Sequence, residues 1–174
     1  MRTSTRILAG IATSAALTLV VAVPAMAVPG PPESTVTAEV TGGSLTITAP
    51  ASTILNSAAP GLDASGSLQG VSVTDERAIE GTWTASYSIT DFTSTTTDAV
   101  IPSDAFEINA VVPTATTGTI DLETFTRTGA GPSAVASATV VGNNSATWVE
   151  GILVHVPAGA LAGVYTATLT HSVL

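Results

Sequence analysis

Between Tyr165 and Val173 the side chains switch character at every residue. Gly163, Tyr165, Ala167, Leu169, His171 and Val173 share one parity, while Thr166, Thr168, Thr170 and Ser172 share the other. A period of two belongs to a strand with one buried face. With the apolar run WVEGILVHVP before it and the AGALA connection between, the segment Trp148 to Leu174 is expected to form a closing hairpin. If Val156 opposes Gly163 there, His155 faces Val164 and His171 faces Trp148. The two histidines then lie about nine residues apart along the ribbon, roughly 30 Å, and cannot share an ion.

The same period recurs upstream. Val36–Val40 and Leu45–Thr48 alternate apolar residues with Thr or Ser, and Gly42-Gly43 between them predicts a hairpin turn. Residues 51–70 are small and rich in Gly and Ser, so mostly loop with one short strand is expected there. A strand opens at Val71 and Val73. Trp83, Ala85, Tyr87 and Ile89 then fall on one face, with Thr84, Ser86, Ser88 and Thr90 on the other. TSTTTD, residues 93–98, reads as an exposed loop. Further strands are expected near Phe106–Val111, Ile120–Phe125 and Ala136–Val141, with Gly142-Asn143-Asn144 as a turn.

Past the first 27 residues no apolar pattern with a period of 3.6 persists. The expectation is therefore all-β: an antiparallel β-sandwich of about nine or ten short strands behind an N-terminal signal-peptide helix. The leader carries Arg2 and Arg6, an apolar run from Ile7 to Val23, and Ala25 and Ala27 at a small-x-small end. That order reads as a secretory signal peptide over residues 1–27. VPGPP opens a Pro/Gly tether over 28–34, and 35–174 reads as one domain. Export follows as the expected localisation, extracellular or on the cell wall, with no stable membrane insertion after cleavage.

Charge narrows the chemistry. Beyond residue 27 the chain keeps two arginines, Arg77 and Arg127, against thirteen acids, a net of −11. Such a surface repels phosphate backbones, so no nucleic-acid partner is expected. Neither lysine nor cysteine occurs, which removes Schiff-base and thiol chemistry and any disulfide. No serine stands in a Gly-x-Ser-x-Gly elbow. The expectation is a non-catalytic protein without cofactor or metal. Asp91, Asp98 and Asp104 around the TSTTTD loop are the acids a calcium ion would need to find together, but solvated surface charge is the preferred reading.

Exposed aromatic rings would mark a polysaccharide-binding surface. On parity Trp83 and Tyr87 belong with core residues, as does Tyr165, while Trp148 is open between core and surface.

The pieces GSLTI (Gly43–Ile47), VSVTDER (Val71–Arg77), WTASYSITDF (Trp83–Phe92) and VPAGALAGVYTATLTHSVL (Val156–Leu174) follow one another in an order that resembles the WxL-domain proteins of Gram-positive bacteria. The resemblance is to a divergent, WxL-like branch. Trp83-Thr84-Ala85 stands where the first Trp-x-Leu would be, and His171-Ser172-Val173 where the second would fall. Lysine-free, Ala- and Thr-rich composition is associated with actinobacterial genomes. The resemblance implies a secreted β-rich domain held non-covalently on peptidoglycan or another cell-wall polymer, beside other surface proteins. It points to Trp83, Trp148 and His171 as the ligand-binding candidates. The alternative is a structural or interaction domain that docks onto another surface protein without polysaccharide affinity.

Overall fold

The computed structural model describes residues 33–174, and the expected signal peptide lies outside the described residues. Residues 39–174 form one compact unit. Its strands are β1 (Leu45–Thr48), β2 (Asp63–Asp75), β3 (Glu80–Ile89), β4 (Phe92–Ser94), β5 (Val100–Ile101), β6 (Phe106–Thr124), β7 (Arg127–Thr128), β8 (Ser133–His155), β9 (Tyr165–Thr166) and β10 (Leu169–Val173). All pairings are antiparallel. The all-β expectation therefore holds.

The organising element is β8. It is 23 residues long, and the other long strands are laid along it. On one edge β3 pairs with residues 133–141 and β2 with residues 144–155. On the other edge β6 runs almost its whole length, from Phe106 opposite Val154 to Thr124 opposite Ala136.

A straight β8 would be a ribbon, not a sandwich. Trp83 is registered to Ala138, ten residues before Trp148 and so about 33 Å away along a straight strand. Yet the rings of Trp83 and Trp148 stack with centroids 6.5 Å apart and planes 16° apart. Tyr87 and Phe106, registered to opposite ends of β8, also meet, at 5.6 Å. The strand thus doubles back between 141 and 145, and one sheet becomes two facing layers. One layer holds β10, β3 and the first part of β8; the other holds β1, β2 and the second part. β6 follows the bend as the outer strand of both.

The corner rests on two glycines. Gly118 of β6 has φ +76° and Gly142 of β8 has φ +69°, a left-handed conformation that side chains with a Cβ resist. At Gly118 a Cβ would also collide with the Asn143 carbonyl. Between Thr117 and Thr119 the pairing slips, so that β8 gains residues on the bend as bulges do elsewhere.

The core between the layers contains Val71, Val73, Trp83, Tyr87, Phe106, Ile108, Val135, Val140, Trp148 and Ile152. Trp83, Ala85 and Tyr87 are buried as their shared parity requires.

Several local expectations are corrected. Residues 106–111 and 120–124 are not separate strands but parts of β6, with Phe125 just beyond it, and Gly142-Asn143-Asn144 is a bend within β8 rather than a hairpin turn. β2 begins at Asp63, inside the stretch expected as loop. Val36–Val40 forms no strand, and Gly43 instead donates its N–H to the Glu76 carbonyl, 2.6 Å, extending the β1–β2 pairing. The closing hairpin is absent. β10 pairs with β3, placing His171 opposite Tyr87, while His155 pairs with Asp63.

Candidate functional site

The three residues singled out from the sequence come together, but inside the protein. Trp83 and Trp148 are fully buried, and the His171 side chain is 4% exposed. The link between them is Glu150, which the sequence reading passed over. Its Oε1 accepts the Trp148 Nε1–H at 2.9 Å, and both its oxygens lie against His171 Nε2, at 3.2 and 3.0 Å. Glu150 has no exposed surface at all. Its parity, shared with Trp148, Ile152 and Val154, was the available signal, because an acid on an inward face needs a partner. Trp83 finishes its own hydrogen bonding on Asn144, donating Nε1–H to Oδ1 at 3.2 Å. Trp148 and His171 thus meet through Glu150 across the core, not through a hairpin.

A second buried acid closes the corner. Asp75 accepts the Arg77 backbone N–H at 3.0 Å and binds its guanidinium through Nε and Nη2, both at 2.9 Å. The Arg77 hydrogen bond, aided by Asn144 and opposed by burial, holds the Asp75 carboxyl below its ordinary value. The other arginine, Arg127, sits 4.8 Å over the Phe125 ring. Burial raises the Tyr87 phenol, with Arg127 opposing and Glu150 adding to the rise. Its hydroxyl donates to the Gly129 carbonyl at 2.9 Å.

Of the acids expected around the TSTTTD loop, Asp91 is taken up by a neighbouring serine. Asp91 Oδ1 accepts both the N–H and the Oγ–H of Ser103, each at 2.8 Å, and these bonds lower its pKa. At the far end of the other layer His155 lies between Asp63, 2.8 Å from Nδ1, and Glu107, 3.2 Å from Nε2. The two carboxylates flank opposite ring nitrogens, so one ion could not reach all three. Among the described residues no group of three or more His, Asp or Glu side chains converges to hold a metal ion.

The outer faces carry the exposed chemistry. On one layer Thr46, Thr74, Ser145 and Thr117 form a row across four strands, with Thr48, Ser72 and Thr147 in the next. Four of these seven hydroxyls pair with one another: Ser72 and Thr147 are 2.9 Å apart, Thr117 and Ser145 2.7 Å. On the other layer Thr82, Thr139 and Asp121 make one row and Thr84, Ser137 and Glu123 the next. Together they line a shallow groove. Among the described residues none of these six side chains has a hydrogen-bond partner. The groove therefore offers four hydroxyls and two carboxylates, repeated at the strand spacing of about 4.8 Å, to whatever lies on it.

Comparison with known proteins gives no further placement: no family model matches the chain, and no curated protein or solved structure is significantly similar to it.

Proposed function

We propose that this chain is a secreted, non-catalytic β-domain that associates non-covalently with the Gram-positive cell wall, and that it does so through the outer face of β3, β8 and β6. The observation that carries this reading is the groove of Thr82, Thr84, Ser137, Thr139, Asp121 and Glu123, whose polar groups are free of partners within the described chain. Wall glycans and their peptide stems are rich in hydroxyl, amide and amino groups. Hydroxyls can donate to and accept from such a polymer, and carboxylates give charge-assisted hydrogen bonds to its amines. The WxL-like order of sequence pieces supports the same reading.

Binding through stacked tryptophan rings is not part of the proposal, because Trp83 and Trp148 present no face to solvent. They and His171 would serve the surface indirectly, by fixing the strands beneath it.

The test is sedimentation of the protein with purified peptidoglycan at low and moderate salt. Retention in the pellet, weakened when Asp121→Asn and Glu123→Gln are introduced together with Thr84→Val, supports the reading. Protein that stays in the supernatant under both conditions removes it. The second reading, docking onto another surface protein, draws support from the edge of β6, which beyond Ile108 has no second strand partner among the described residues.

A further inference from the structure

β6 is bonded on one side only over most of its length. Its pairing with β7 involves Glu107 and Ile108 alone, while residues 110–124 pair with β8 and with nothing else among the described residues. An unpaired edge presents a row of N–H and C=O groups that can template another strand. Pro113 interrupts that row early, having no N–H to give. After the bend, Thr119–Thr124 is an uninterrupted template. Its inward side chains Ile120 and Leu122 pack on the core but remain half-buried, with their open flank uncovered.

The same chain carries a strand without a sheet. Val36, Ala38 and Val40 share one parity and Thr35, Thr37 and Glu39 the other, yet among the described residues the segment has no strand partner. Val36 is 90% and Val40 86% exposed. Two apolar side chains held this far into water by a β-competent segment lose the burial that their pattern is suited to.

We infer that residues 35–40 of one copy add as a strand to the Thr119–Thr124 edge of a second copy. Val36, Ala38 and Val40 would then extend the inward face past Ile120 and Leu122, and the Thr residues would join the outer face. This is strand addition, in which main-chain hydrogen bonds give affinity and alternate side chains give register.

The occupant is a second copy because the chain cannot reach its own edge. Gly43 is held on Glu76, on the β1 side of β2. The three residues from there to Val40 span at most about 10 Å. Thr119–Thr124 lies in the other layer, whose β10 is the strand that β1 touches, and a strand beyond β6 there is four interstrand steps from β10, about 19 Å. Tail and edge are different surfaces, so the contact is head-to-tail and each copy can both give and receive a strand. Glu33 and Glu39 on the tail approach Asp121 and Glu123 on the edge, and this like-charge contact opposes association at low ionic strength.

The inference is independent of wall binding and is tested in solution without any polymer. Light scattering on the full chain should show mass that at least doubles as concentration rises, and more readily at high salt. Val36→Asp with Val40→Asp should restore the monomer without changing the melting temperature, since neither residue belongs to the sheet. The chain has no cysteine. A Thr37→Cys protein mixed with a Thr119→Cys protein should therefore give the mixed disulfide under mild oxidation. A monomer at every concentration and salt, association that survives the double Asp variant, or a disulfide formed only when one chain carries both cysteines would each overturn it.

Discussion

Glu150 and His171 face each other across the core with contacts of 3.0 and 3.2 Å, and their side chains are 0% and 4% exposed. One lies on the strand around which the sheet folds, the other on the last strand. Glu150 also accepts the Trp148 N–H, so removing its side chain strands two buried donors at once. Glu150→Ala is expected to destabilise the protein by about 2–4 kcal/mol, because each of the two buried donors loses its acceptor. Glu150→Leu with His171→Leu should cost much less than the two single changes together, because it removes the polar groups rather than orphaning them. Urea unfolding of the four proteins in a double-mutant cycle gives the coupling.

The corner makes a sharper geometric prediction. Gly118 and Gly142 both adopt positive φ, but only Gly118 faces a backbone carbonyl where its Cβ would be. Gly142→Ala should cost about 1 kcal/mol for the left-handed backbone alone. Gly118→Ala should cost on the order of 3 kcal/mol, because the Asn143 carbonyl must also move. Equal losses at the two sites, read from thermal or urea unfolding, would contradict a bend built on the close approach of β6 to β8.

Alternation made the strands legible, and with them the inward placement of Trp83, Ala85 and Tyr87. Pairing was another matter. The register of a strand depends on which neighbour it meets, and the Pro/Gly/Ala stretch after Val156 has the composition of a hairpin turn whether or not one forms. Gly142-Asn143-Asn144 shows the same ambiguity. The positive φ that would turn a hairpin also serves a strand that bends and continues, and only the facing Gly118, 24 residues earlier in the chain, decides between them. Glu150 could have been found from its parity. The rows of Thr and Ser could not, since each draws on three or four strands whose order the sequence does not state.

Acid should act on Asp75. Its native pKa lies below the ordinary 3.8, chiefly through the Arg77 hydrogen bond. Its contribution is therefore fully present above that ordinary value and is lost as pH falls below it through the native pKa. Asp75→Asn should lower stability at neutral pH, and the gap between variant and parent should narrow once the pH is brought below 3.8. Urea midpoints at the two pH values measure it. A gap that persists in acid would mean that Asp75 acts through shape rather than charge.

His155 should behave in the opposite sense. The Asp63 hydrogen bond, followed by that to Glu107, raises its pKa above the ordinary 6.5. The stability it gives is fully present below 6.5 and disappears as pH rises through the higher native value. The histidine is about half exposed, so solvent screening keeps the effect on folding small, and titration of the ring is the better measurement. Followed by NMR, the His155 ring protons should titrate above 6.5, and Asp63→Asn should lower that midpoint more than Glu107→Gln does. With both changes the midpoint should return to the ordinary value. His171, bonded to Glu150 and shut away from water, supplies an internal reference in the same spectrum, because neither substitution touches its partners. If its resonances moved with those of His155, the two histidine sites would be coupled, which their separate hydrogen-bond partners argue against.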